Sequence, residues 1–128
     1  MENPMDYSLC NQTVTLYRLQ EQQVIRKVLA ECYLEYKTQQ DTGSYGTRME
    51  RPFLLIVPCR QQDKPEIPVM PGDRIYAGIG PEVTNQQWRS FVPANVAELM
   101  QAEYVQPCYF GGHLCHTEAG RKSHGLSR

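Results

Sequence analysis

The fold class turns on one stretch: Val24-Ile25-Arg26-Lys27-Val28-Leu29-Ala30-Glu31-Cys32-Tyr33-Leu34-Glu35-Tyr36. Val24, Val28, Cys32 and Tyr36 recur every four residues with Ile25 and Leu29 beside them, which matches one face of a helix. Val28, Ala30, Cys32, Leu34 and Tyr36 also alternate against Lys27, Glu31 and Glu35, which matches a strand with one buried face. Both templates fit. A helix would call for Ser, Thr, Asp or Asn as its N-cap, and Gln20 to Gln23 offers none. The surrounding chain is rich in β-branched and aromatic residues, so a long strand is expected.

Working outward, Thr13-Val14-Thr15-Leu16-Tyr17-Arg18-Leu19 reads as a strand. Residues 1–12 carry two acids, no base and no periodicity, and read as a flexible arm. Residues 37–51 hold two glycines and many polar side chains and read as a long loop. Phe53 to Val57, bounded by Pro52 and Pro58, reads as a short buried strand. Residues 61–71 contain three prolines and read as extended, irregular chain too polar for the core. Pro71-Gly72-Asp73 is a turn, with Asp73 as its cap, leading into a strand from Arg74 to Ile79 that Gly80-Pro81 ends. Asn95 with Glu98 three residues on predicts an N-cap for a helix over 96–103, with Val96, Leu99 and Met100 facing the core. Tyr104 to Phe110 and His113 to Ala119 read as strands joined at Gly111-Gly112. Residues 120–128 read as a flexible basic tail. The sum is a mainly β domain over 13–119: a small β-barrel or sandwich of five to seven short strands, one short helix and long loops.

The 128 residues amount to one domain, with 41% hydrophobic and 21% charged residues and a net charge of −1. That balance argues against a surface that grips nucleic acid throughout. The longest apolar run, Phe53 to Val57, is far too short to span a bilayer, and MENPMDYSLC lacks the basic and apolar regions of a signal peptide. No membrane partner is expected. The five cysteines are odd in number and widely spaced, unlike a secreted disulfide framework, so reduced thiols are expected.

The inventory for chemistry is short. No dinucleotide, phosphate-loop, metalloprotease or serine-hydrolase motif is present. Cys108, His113, Cys115 and His116 have the side chains for a zinc site, but their spacing departs from the common forms, and adjacent Cys115 and His116 point oppositely in a strand. Packed thiols beside surface histidines are the expectation, with no metal, cofactor or catalytic residue. A cysteine with a histidine meets the minimal list for a thiol nucleophile pair, and such pairs arise by chance in a chain this rich in both. The carboxylates are scattered. Trp88, with Arg89 and Phe91, reads either as an interface anchor or as the ring closing one end of the barrel. Arg121, Lys122, His124 and Arg128 supply only weak, salt-sensitive attraction to a phosphate backbone or acidic partner.

Four pieces of the chain, in order, resemble a known family. They are Thr15-Leu16-Tyr17; a middle strand ending Ile56-Val57-Pro58; Pro71-Gly72-Asp73-Arg74-Ile75-Tyr76-Ala77-Gly78-Ile79; and Cys108-Tyr109-Phe110-Gly111-Gly112-His113-Leu114-Cys115-His116-Thr117-Glu118-Ala119-Gly120-Arg121-Lys122. The pattern is similar to small head–tail connector proteins of tailed bacteriophages, with the more specific matches in 71–122. Phe91 to Leu99 stands for a further short element of that family at longer spacing, and the proline-rich 63–71 and the cysteines depart from it. The resemblance implies a virion structural protein of the neck, made in the bacterial cytoplasm: a head-closure, stopper or adaptor β-barrel. It implies a ring of six or twelve copies around the DNA channel, between portal or adaptor and tail-tube or terminator proteins, with non-specific contact to DNA. It implies that a loop such as 37–51 closes the lumen or contacts the next ring. Alternatives are a tail terminator, a minor capsid protein, or a small β-barrel binding module.

Overall fold

The computed structural model describes residues 6–36 and 51–122. Seven antiparallel strands form one sheet curled into a half-barrel. They are β1 (Gln12–Gln20), β2 (Gln23–Tyr36), β3 (Phe53–Pro58), β4 (Arg74–Ala77), β5 (Leu99–Gln101), β6 (Tyr104–Phe110) and β7 (His113–Arg121), with one short helix, α1 (Asn85–Trp88). The spatial order is β5-β4-β1-β2-β3-β7-β6.

The ambiguous 24–36 stretch is the longest strand. β1 and β2 form a hairpin through Glu21-Gln22, both at positive φ (51° and 64°). A two-residue turn of this hand matches the strand twist but usually calls on Asn-Gly, so Glu-Gln carries no turn signal here. β2 then changes partner along its length. Its first part pairs with β1, Tyr33 to Tyr36 pair with β3, and a bulge lies between. Across the bulge the register moves from Val14↔Leu29 to Gln12↔Cys32, with Glu31 at φ 57°. A bulge adds one residue to one strand and sharpens its bend, which turns the sheet into a curl.

The two free edges, β5 and β6, belong to one continuous stretch. Ala102 N–H donates to Asp73 O on the β4 side (2.9 Å), and the next residue, Glu103, donates to Gly120 O on the β7 side (2.7 Å). The chain thus passes from one end of the curl to the other at a single peptide. The main core lies inside the curl: Val14, Leu16, Cys32, Leu55, Val69, Ile75, Met100 and Ala119 are buried there. Gly120 sits where a Cβ would meet the Phe53 carbonyl, so this cross-strand approach admits only glycine.

β1 is buried on both faces. Its reverse face is covered by residues 78–98. Thr15 Oγ1 donates to Gly78 O and accepts from Gly80 N–H, each at 2.8 Å. Tyr17 donates to Pro81 O (2.5 Å) and packs edge-on to Phe91, with centroids 4.7 Å apart.

Three expectations are corrected. The helix over 96–103 does not form: Asn95 Nδ2 donates to Ser90 O (2.9 Å) rather than capping, and Leu99 to Gln101 pair with β4 instead. The short helix lies earlier, capped by Thr84, whose hydroxyl accepts from Gln87 N–H while Gln87 Oε1 accepts from Thr84 N–H. Val69, in the stretch expected to be too polar for the core, is 1% exposed. The sheet also exceeds 13–119: Gln12, Gly120 and Arg121 are strand residues, and Tyr7 and Cys10 of the expected arm lie against it. Residues 1–5, 37–50 and 123–128, which are parts of the expected arm, loop and tail, lie outside the described residues.

Replacing Glu21-Gln22 by Asn-Gly should raise stability by about 1–2 kcal/mol, because L-residues other than Asn pay about that much per left-handed position. Denaturant midpoints at unchanged m-value check it. An unchanged midpoint would show that the turn is not strained.

Candidate functional site

Asp73 organises one end of the sheet. The Pro71-Gly72 turn precedes it, with Asp73 N–H donating to Met70 O at 3.0 Å and Met70 N–H donating back to Asp73 Oδ2 at 2.8 Å. The expected capping role is therefore present, and a second role adds to it. Arg18, fifty-five residues earlier, donates through Nε to Oδ1 (2.8 Å) and through Nη2 to Oδ2 (2.7 Å). Asp73 is 3% exposed. Arg18 Nη2 also reaches Pro68 O (3.1 Å), so one guanidinium ties β1 to the proline-rich segment and to β4. The hydrogen bond to Asp73 raises the pKa of Arg18 further above its usual range.

Beside this pair lies Arg74. Its guanidinium carbon sits 3.6 Å from the centre of the Trp88 ring, and Nη1 donates to the carbonyls of Trp88 (2.7 Å) and Phe91 (2.6 Å). Burial lowers its pKa, and among the described residues no carboxylate forms an ion pair with it. Arg18, Leu19, Met70, Arg74, Trp88 and Gln101 line an open groove of about 460 Å³. The groove presents an arginine stacked on an indole between apolar rims, an arrangement suited to aromatic or anionic groups.

The sequence-predicted residues divide. Trp88 packs half-buried against the cluster of Tyr17, Phe91 and Leu99 and also lines the groove. Arg89 is the exposed C-cap of α1. Phe91 is buried against Tyr17, which makes its ring core rather than surface. Arg121 ends β7 opposite Phe53 with a buried Nε, the Lys122 ammonium lies 5.5 Å from the Tyr104 ring centre, and neither lines the groove with Trp88. The Arg18–Asp73 pair had no sequence signal, since its partners are remote in the chain.

The Cys108, His113, Cys115 and His116 side chains do not converge. Cys108 stands opposite His116 on the outer face, His113 opposite Phe110, and Cys115 is buried on the core side. Among the described residues, no three His, Cys, Asp or Glu side chains form a group fit to hold a metal ion. His116 instead meets Tyr7, whose hydroxyl lies 2.7 Å from Nδ1 with the rings edge-on. Tyr104 donates to Glu118 Oε2 (2.9 Å), and burial with that bond pushes its pKa to about 12. The Cys108 thiol is pushed up by burial and by Glu118, which disfavours the thiolate a nucleophile needs.

At the far end of β6, the hairpin tip exposes Tyr109 and Phe110, turned through Gly111 and Gly112 at φ 58° and 81°. Tyr109 lines a notch of about 270 Å³ with Gln62, Pro65, Ile67 and Leu114. No protein-family model, curated protein or solved structure matches the chain.

Two outcomes follow. Asp73→Ala should cost about 3 kcal/mol or more, because it strands Arg18 and opens the 70–73 turn together, whereas Arg74→Lys should chiefly alter the groove. Comparative denaturation checks this, and near-equal losses would remove Asp73 from its central place. Burial lowers the pKa of His116 below its usual 6.5, with Glu118 partly opposing. The unfolded chain therefore takes up this proton first. Its contribution is complete above pH 6.5 and declines as pH falls below that toward the lowered folded value. His116→Gln, which keeps an acceptor for Tyr7, should flatten that slope in a pH series of melting curves.

Proposed function

We propose that this chain is a ring-forming structural subunit of the head–tail junction of a tailed phage, as its resemblance to connector proteins implies. The observation that carries the reading is a pair of unlike surfaces, a groove lined by Arg18, Arg74 and Trp88 and an exposed apolar hairpin tip. The groove lies where β1, β4 and β5 meet, and the Tyr109-Phe110 tip lies about 20 Å away along β6. A closed ring needs two different surfaces on each copy, joined head to tail.

The motif residues of the resemblance also fall on connected parts of the fold. Pro71-Gly72-Asp73 makes the buried turn that Arg18 clamps, and Tyr109 to Lys122 makes the β6–β7 hairpin. Residues 37–50, most of the loop expected to close the lumen or contact the next ring, lie outside the described residues.

Native mass at high concentration tests the reading, alone and with portal, adaptor and tail-side proteins. The expected result is a closed ring, formed alone or on the neighbour, and loss of that ring in Phe110→Glu with the fold intact. A monomer under every condition would overturn it and favour the binding module.

A further inference from the structure

Cys59 and Cys115 stand opposite one another just past the end of β3. The β3–β7 register runs to Pro58↔His116. One further step sets Cys59 against Cys115, and Cys59 N–H donates to Cys115 O at 2.9 Å. Directly opposed residues of an antiparallel pair share a sheet face and have Cα atoms about 4.5–5.5 Å apart. A disulfide spans Cα separations of about 4.4–6.8 Å, so the two backbones already stand within reach.

The ladder is held here by a side chain. Gln62 Nε2 donates to Cys59 O (3.1 Å) and to Leu114 O (3.0 Å), strapping the cysteine segment to β7. Each sulfur leans along its own chain, Cys59 Sγ toward Gln61 O and Cys115 Sγ toward His113 O, both at 3.7 Å. Rotation about the two Cα–Cβ bonds turns them toward each other. Cys59 is half-buried at a strand end, whereas Cys115 is 2% exposed. The pair therefore combines an accessible thiol with a sheltered one.

The alternatives are less well placed. Cys108 lies near enough to Cys115 to act on it electrostatically but pairs with His116 rather than with Cys115, and the neighbouring Cys10 and Cys32 are both buried, so that pair offers no thiol as open as Cys59.

We propose that Cys59 and Cys115 are a reversible modification site, closing to an intrachain disulfide by exchange with a low-molecular-weight disulfide. The Cys59 thiolate attacks one sulfur of that oxidant, forming a mixed disulfide and releasing one small thiolate. The Cys115 thiolate then attacks Cys59 Sγ and releases the second. Two protein thiols are oxidised, one small disulfide is reduced to two thiols, and the protons pass to the products. Directly opposed positions set Cβ atoms about 4.5–5.5 Å apart, against about 3.5–4.5 Å in a relaxed disulfide. The bond is therefore strained and easily reduced, the property of a regulatory rather than a structural link. Closing it fixes Gln62 and its neighbours against the hairpin that carries Tyr109, and so stiffens the notch.

The test exposes the reduced full chain to oxidised glutathione and follows intact mass and peptide maps. The expected result is loss of two hydrogens, a Cys59–Cys115 cross-linked peptide, and full reversal by excess reduced glutathione. Cys115→Ser should instead accumulate one glutathione on Cys59, and Cys59→Ser should gain neither bond nor adduct. Because Cys115 is buried, the half-buried Cys59→Ser variant decides the matter where Cys115→Ser does not fold. A stable glutathione adduct on Cys59 of the unaltered chain, or a bond mapped to another pair, would overturn the proposal.

Discussion

The bulge at Glu31 is the constraint on which the rest of the fold depends. A straight β2 would pair with β1 or with β3 over its whole length and leave an open ribbon. With one extra residue and the sharper local twist, the same strand serves β1 first and β3 afterwards. Val14 and Leu16 are thereby brought to face Leu55 and Ala119 across one core. At the opposite side, the passage from Ala102 to Glu103 does the complementary work, since successive N–H groups donate to the two ends of the sheet. The curl is therefore defined at two short stretches of backbone, and the apolar side chains fill what those stretches enclose.

The second organising feature is electrostatic. Asp73 takes three hydrogen bonds from two segments, one neutral and two from Arg18. Charge-assisted bidentate bonds of this kind fix geometry as well as charge. They hold the turn before β4, and β4 in turn positions Arg74 over Trp88. The groove thus depends on the same motif that begins the strand. This explains how a stretch that reads as an ordinary turn also shapes a surface. The groove and the hairpin tip, held apart by β6, are the surfaces on which the proposed assembling role rests.

Much of the candidate site was legible only in pieces. Trp88 stood out as a lone large aromatic beside Arg89, and it stands half-buried at the groove, against the cluster of Tyr17, Phe91 and Leu99. Phe91 looked equivalent in sequence, yet Tyr17 covers it. Nothing in local spacing tells which of two neighbouring aromatics a distant strand will cover. The helix over 96–103 failed for a related reason. Asn95 and Glu98 satisfy a local capping pattern, but β4 offers Leu99 to Gln101 a ladder that the local pattern cannot match. The Thr84–Gln87 capping box was legible and passed over, because it precedes no apolar run. The cysteine–histidine cluster shows the same limit from the other side. Four metal-binding side chains lie within nine residues, and among the described residues the hairpin brings no three of them together.

By itself, the sequence determined the β character of the domain, the strands Phe53–Val57, Tyr104–Phe110 and His113–Ala119, the Pro71–Asp73 turn, and the Gly111-Gly112 hairpin tip. These follow from period-two patterning, β-branched content and turn residues, all of which act over a few neighbouring positions. The tertiary structure decided the hairpin at Glu21-Gln22, the change of partner along β2, the Arg18–Asp73 pair, the coverage of Phe91 and the facing of Cys59 and Cys115. Each of these is a relation between residues far apart in the chain, or a backbone conformation that only surrounding contacts impose. Local preferences amount to a fraction of a kcal/mol per residue, whereas a completed ladder, a buried ion pair or a filled core acts over many residues at once.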